Sequence, residues 1–234
     1  MIIASNFKTN HTRERTARFV DFINNQDSFC EVRIFPPFTA FGAFELRPNI
    51  RLGAQNFYPT DRGSFTGEIG YEQLEEFDID SVLIGHSERR HILGESQEAI
   101  SRKFDFAKEK EMEIIYCIGE PIEVRRAGVE AVMSYLWEQF VGIDIDYEEL
   151  VVAYEPVWAI GTGVVATLEE IDTVLKNLKT KIKAPILYGG SVKVANTEAI
   201  LSLEHCDGIL VGTASWEQEN FAQMIEIADN LTKD

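Results

Sequence analysis

The chain has 234 residues, of which 45% are hydrophobic and 26% charged, ordinary values for a folded domain large enough to bury its own core. Its formal net charge of −17 argues against nucleic acid or an anionic membrane as partner, yet leaves room for a small phosphorylated ligand held by local backbone N–H groups and a lysine. No apolar run is long enough to span a bilayer, and no export signal is evident. The three widely spaced cysteines, Cys30, Cys117 and Cys206, read as reduced thiols of a cytoplasmic protein rather than as a disulfide framework or metal cluster.

Taken in chain order, short β-branched runs recur at residues 2–4, 32–35, 50–52, 82–84, 114–116, 151–153, 186–188 and 209–211. Most are continuously apolar, as expected of strands buried on both faces of a parallel sheet. Amphipathic segments of helical length lie between most of them, at residues 12–24, 96–110, 123–141, 167–181, 195–202 and 216–231. Thr167-Leu168-Glu169-Glu170 opens one of them as a capping box. The interval 55–80 carries no convincing helical period. Eight strands with crossover helices favour a closed (β/α)8 barrel over an open doubly wound sheet, with no linker to divide residues 1–234 into two domains. One loop is long and carries Phe57, Tyr58 and Phe65; it reads either as folded on its own barrel or as a contact for a second subunit.

A parallel barrel displays its chemistry where strands end and loops begin. The polar groups at those ends are Asn6 and Lys8, then His86 with Ser87 and Glu88, then Glu155, then Ser191, then Gly212 and Thr213. Taken alone, Lys8 could be a loop cation, His86 a helix cap, and the glycine pairs ordinary turns. Glu155 stands out because it ends a strand and precedes a Pro-Val-Trp bend and Gly161-Thr162-Gly163, so a rigidly aimed carboxylate borders a segment rich in backbone freedom. Gly161, Ser191, Gly212 and Thr213 can present N–H groups to an anion, Lys8 adds a cation, Glu155 a base and His86 a donor. No nucleophile–base pair, metal-ligand cluster or dinucleotide fingerprint accompanies them. The set suits proton abstraction beside a carbonyl on a small phosphorylated molecule, without cofactor or metal.

Six motifs then converge. Asn6-Phe7-Lys8, Gly85-His86-Ser87-Glu88-Arg89-Arg90, Cys117-Ile118-Gly119-Glu120, the run 154–163, Tyr188-Gly189-Gly190-Ser191-Val192 and the run 207–215 resemble those of the triosephosphate isomerase family. They occur in that family's order across nearly the whole chain. The resemblance implies a TIM barrel that interconverts dihydroxyacetone phosphate and D-glyceraldehyde 3-phosphate through an enediol(ate), in glycolysis and gluconeogenesis. By the same likeness Glu155 is the base, His86 the neutral imidazole that polarises the carbonyl, and Lys8 the cation that offsets phosphate and enediolate charge. Asn6, Gly161, Ser191, Gly212 and Thr213 contact substrate, Glu88 orients Lys8, and Ser87 holds Glu155 while a flap at 159–163 is open. Cys117 packs behind the site. Thr66 is the residue such enzymes insert into a partner subunit, which implies a homodimer. Three departures stand out: Phe7 for the usual tryptophan, an apolar change expected to be tolerated; Thr213 for a glycine, strained only if its φ is positive; and Val164-Val165-Ala166 for Lys-Thr-Ala, a stiffer hinge expected to alter flap opening. The alternatives are a non-catalytic barrel acting as a binding or surface-interaction protein, and an epimerase or aldolase. The last two would call for metal ligands or a Schiff-base lysine in an apolar pocket.

Overall fold

A computed structural model describes residues 1–160 and 165–232. Eight parallel strands close a barrel in sequence order: β1 (Ile2–Asn6), β2 (Glu31–Phe35), β3 (Ile50–Ala54), β4 (Ser81–Ile84), β5 (Glu113–Ile118), β6 (Leu150–Tyr154), β7 (Ile186–Tyr188) and β8 (Gly208–Val211). Closure comes from β1 pairing with β2 on one side (Ile2 opposite Glu31) and with β8 on the other (Ile2 opposite Gly208). All eight expected apolar runs lie within these strands. Their continuity has a simple cause, because alternate residues serve two cores. Ala4, Phe35, Leu83, Ile115, Val151 and Leu187 fill the barrel interior. Ile3, Val32, Ile34, Val82, Ile114 and Val152 belong to the larger core between the strands and the surrounding helices.

The helices are α1 (Arg13–Asn24), α2 (Tyr71–Glu75), α3 (Ser87–His91), α4 (Gln97–Glu109), α5 (Ile122–Arg126), α6 (Val129–Glu138), α7 (Leu168–Lys179), α8 (Val194–Leu201) and α9 (Gln218–Leu231). Side-chain caps set several starts. Thr12 accepts from Arg15 N at 3.3 Å, Ser96 from Ala99 N at 3.2 Å, and Thr167 and Glu170 form the expected capping box. Two expectations need correction. The segment 123–141 is not one helix: it divides at Gly128, whose φ of 99° lies in the left-handed region. The interval 55–80 does contain a helix, α2, whose five residues bury only Leu74 and are too few to show a period. Between β2 and β3 the described chain makes a single short turn of helix, Phe38–Ala40, in place of a full crossover helix.

Charge is buried inside the barrel as well. Arg33 donates to both oxygens of Glu113 at 2.7 and 2.8 Å, and Ser81 Oγ adds a third bond at 2.8 Å. Both charged residues are buried, so the pair persists only because its geometry is bidentate and the carboxylate is further satisfied. Burial pushes the Glu113 carboxyl up, but Arg33 more than offsets this and leaves it below the usual carboxylate range. The three cysteines are free and buried. Among the described residues, no helix is long and apolar enough to cross a membrane.

Candidate active site

The C-terminal end of β6 is held firmly. Glu155 N donates to Ile118 O at 2.7 Å, and Gly189 N donates to Tyr154 O at 2.8 Å. Glycine is required at the adjoining position of β5's exit, because a Cβ on Gly119 would lie 1.8 Å from Glu155 O. The Glu155 side chain is buried, with 2% exposure. Its Oε2 accepts from Ser87 N at 3.1 Å, and its Oε1 lies 3.2 Å from His86 Nε2. Burial pushes the Glu155 carboxyl up, but His86, the Ser87 N–H and the Lys8 cation together outweigh it, so the group stays below the ordinary range and is a carboxylate near neutrality.

His86 is the N-cap residue of α3, and its ring accepts rather than donates there: Glu88 N gives its proton to Nδ1 at 3.3 Å. An Nδ1 that accepts a backbone N–H carries no proton, so the neutral tautomer bears its hydrogen on Nε2. That hydrogen points at Glu155. The first turn of α3 therefore supplies two donors to the same carboxylate, one from the Ser87 backbone and one from the capping imidazole. Ser87 acts through its N–H.

Lys8 sits just beyond β1 with a φ of 54°, a left-handed conformation that a non-glycine residue keeps only when its surroundings impose it. The surroundings are visible. Lys8 N donates to Asn6 Oδ1 at 2.9 Å, and Gln55 Nε2 donates to Lys8 O at 2.9 Å. The ammonium reaches Glu88 Oε1 at 2.7 Å, so Glu88 is placed to orient it. Phe7 is fully buried, its ring packed 4.1 Å from that of His11 and 4.8 Å from that of Phe19, in keeping with the expected tolerance of an apolar replacement.

Beside these groups, the exits of β7 and β8 are tightly packed. A Cβ on Gly190 would meet the Tyr188 hydroxyl at 2.2 Å, and one on Gly212 would meet Lys8 Cε at 3.1 Å. Ser191 Oγ donates to Ala159 O at 2.5 Å, tying the β7 exit to the chain that follows Glu155. Thr213 opens a short turn of helix, Thr213–Ser215, and is not among the described non-glycine residues with positive φ. The condition for strain at this threonine is thus not met.

One cavity of about 590 Å³ brings these residues together, lined by Asn6, Lys8, His86, Glu155, Ser191, Gly212 and Thr213 among others. Ser87 and Glu88 stand behind it. Gly161 and Val164 lie outside the described residues, as does most of the 159–163 segment. Of the remaining hinge positions, Val165 is 45% exposed and Ala166 is buried. Thr66 does not line the cavity and lies in a run, 61–68, that is exposed throughout. The loop's Phe57 is buried, whereas Phe65 is 44% exposed and stacks 4.3 Å from Tyr58.

Three polar side chains at the site are not foreseeable from the sequence. Lys193 and Asn220 line the cavity, and Glu120 lies buried beneath it, accepting from Tyr154 OH at 3.1 Å and Trp158 Nε1 at 3.0 Å. Burial raises the Glu120 carboxyl above its ordinary value. Glu120 ends the run Cys117-Ile118-Gly119-Glu120, and Lys193 directly follows the run 188–192, but neither has a periodic or spacing signal of its own.

A family model described as triosephosphate isomerase matches residues 1–228. The triosephosphate isomerase of Sulfurimonas denitrificans is 52% identical over 237 residues, covering 100% of this chain and 98% of that protein. The proteins of the same name from a Nitratiruptor species and a Sulfurovum species are 53% and 52% identical, covering 99% and 96% of this chain and 100% and 99% of their own lengths.

Proposed function

Because this chain belongs to the triosephosphate isomerase family, we propose that it interconverts dihydroxyacetone phosphate and D-glyceraldehyde 3-phosphate, the aldose–ketose step of glycolysis and gluconeogenesis. The observation that carries this reading is the convergence of a buried carboxylate, a proton-bearing imidazole Nε2 and a lysine on one cavity that the turns after β7 and β8 complete.

The division of labour follows the family's known chemistry, carried over residue by residue. Glu155 removes a proton from the carbon beside the carbonyl and returns it to the neighbouring carbon. His86 donates from Nε2 to the carbonyl oxygens in turn. It does so as a neutral donor because its Nδ1 is already occupied by the Glu88 N–H. Lys8 stabilises the enediolate and the phosphate, with Asn6 beside it. Ser191, Gly212 and Thr213, joined by Gly161, offer N–H groups to the phosphate.

The geometry adds one requirement. In the described arrangement, the Nε2–H that must serve the substrate faces Glu155 at 3.2 Å. Substrate therefore has to separate the pair. When it does, Glu155 gives up its contacts with both the imidazole and the Ser87 N–H and is free to meet the C–H bond.

Two further assignments belong to the same reading. The exposed loop carrying Phe65 and Thr66 docks into a second copy of the chain, making a homodimer in which Thr66 approaches the partner's site. The reaction takes place in the cytoplasm, and it needs neither metal nor cofactor. The direct test is isomerisation of D-glyceraldehyde 3-phosphate by the purified protein, coupled to reduction of the ketose product. Glu155→Gln should lose about 10²–10⁴-fold in kcat while retaining a phosphate-bearing ligand. An active Glu155→Gln protein would contradict the assignment of the base.

A further inference from the structure

The cavity poses an electrostatic problem. The ligand proposed for it is a dianion, the chain as a whole carries a formal charge of −17, and the deep end of the cavity is not cationic. Lys8 is already paired with Glu88 at 2.7 Å, and Glu155 is ionised beside it, so these three groups together are net negative. Lys8 can stabilise charge that develops against it, but it does little to draw a dianion in from solvent.

Lys193 is placed differently. It lines the same cavity at the exit from β7, is solvent-exposed, and makes no ion pair among the described residues. Its backbone is fixed at the start of α8: Lys193 N donates to Asn196 Oδ1 at 2.7 Å, and its carbonyl accepts from Thr197 Oγ1 at 2.9 Å. The phosphate-facing wall is otherwise built of neutral groups, so Lys193 is the one formal charge there among the described residues.

We infer that Lys193 is the capture cation of this site, a positioning residue that attracts the phosphate dianion to the cavity mouth and offsets the field of the acidic surface. This rests on the isomerase reading and deepens it. A rim charge of this kind acts on association and on its salt dependence more than on the chemical step. Taking a separation of about 10 Å, the order of the cavity's width, one unit charge acting on a dianion in water changes encounter about threefold at 10 mM ionic strength and about 1.5-fold at 150 mM.

The test compares Lys193→Gln and Lys193→Glu with the same two changes at Lys176, an exposed lysine on α7 outside the cavity. The readout is kcat/KM for D-glyceraldehyde 3-phosphate across ionic strength. At 10 mM, neutralisation should lower kcat/KM about threefold and reversal about sevenfold, because the effect scales with charge, and both deficits should shrink towards unity as salt rises. The change should fall on kcat/KM rather than kcat, and the Lys176 variants should stay close to wild type. A deficit that persists unchanged in high salt would overturn the assignment by revealing a direct contact or a packing role. So would Lys193 variants that match their Lys176 counterparts. An inactive wild-type protein would instead remove the isomerase reading, and this assignment with it.

Discussion

Gly189→Ala offers a sharp test of the role proposed for the Glu155 carboxylate. A Cβ built on Gly189 would stand 2.7 Å from Glu155 Cγ and 3.4 Å from its Oε1. Gly189 does not have positive φ, so alanine meets no backbone penalty and the effect is purely steric. Carbon atoms rest at about 3.5–4.0 Å, so Glu155 must retreat by roughly 1 Å. A 1 Å misplacement of a reacting group can cost about 10²-fold in rate, or ~2.7 kcal/mol of barrier. The added methyl group should also destabilise the fold by about 1–3 kcal/mol as overpacking. Steady-state kinetics would show kcat reduced with KM little changed, and thermal unfolding measured alongside would show that the protein stays folded at the assay temperature. A folded Gly189→Ala protein with kcat within about threefold of wild type would refute the reasoning, since the added methyl group would then not hinder the carboxylate in its substrate-engaged position.

Glu113→Gln should cost about 3–5 kcal/mol in denaturant unfolding, because it leaves the Arg33 guanidinium buried without its bidentate partner. The folded-state pKa of Glu113 is depressed, so its contribution is fully present above the unfolded carboxylate value and is lost as pH falls through the folded one. Wild type should therefore lose stability below about pH 4.5, and the variant should lose less over that window. Thr213→Gly should leave kcat/KM within about twofold, since the threonine is not held at positive φ, while costing about 0.5–1 kcal/mol in backbone entropy; a large gain in activity would show that the threonine obstructs phosphate. Thr66→Glu should shift the mass in solution towards monomer and lower activity with it. A monomeric, fully active Thr66→Glu protein would contradict the role given to that loop.

Much of the site was legible because its residues are tied to strand ends. Asn6, His86, Glu155, Ser191 and Gly212 each follow an apolar run, and in a parallel barrel such positions share one rim. The contacts between them were not legible. Nothing in the sequence spacing says that His86 accepts at Nδ1 and so must carry its proton on Nε2, or that Ser87 grips Glu155 through its backbone N–H. Glu120 and Lys193 are illegible for the same reason: their importance lies in what surrounds them.

The amino-acid sequence alone yields the strands, the order of the polar groups along the chain and the family likeness. Burial on two faces leaves an apolar signature within a few consecutive residues, and local propensity suffices to read it. It misjudged the helices whose limits depend on one residue or one turn, at Gly128 and at α2. The charge state and direction of the groups assigned to the site are set by packing between distant segments. Glu113 is ionised inside the barrel because Arg33 crosses from β2 to meet it. Glu155 is held ready because α3 begins where β6 ends in space, 68 positions away along the chain. Electrostatics and desolvation act through distance in space, and closure of the barrel sets those distances.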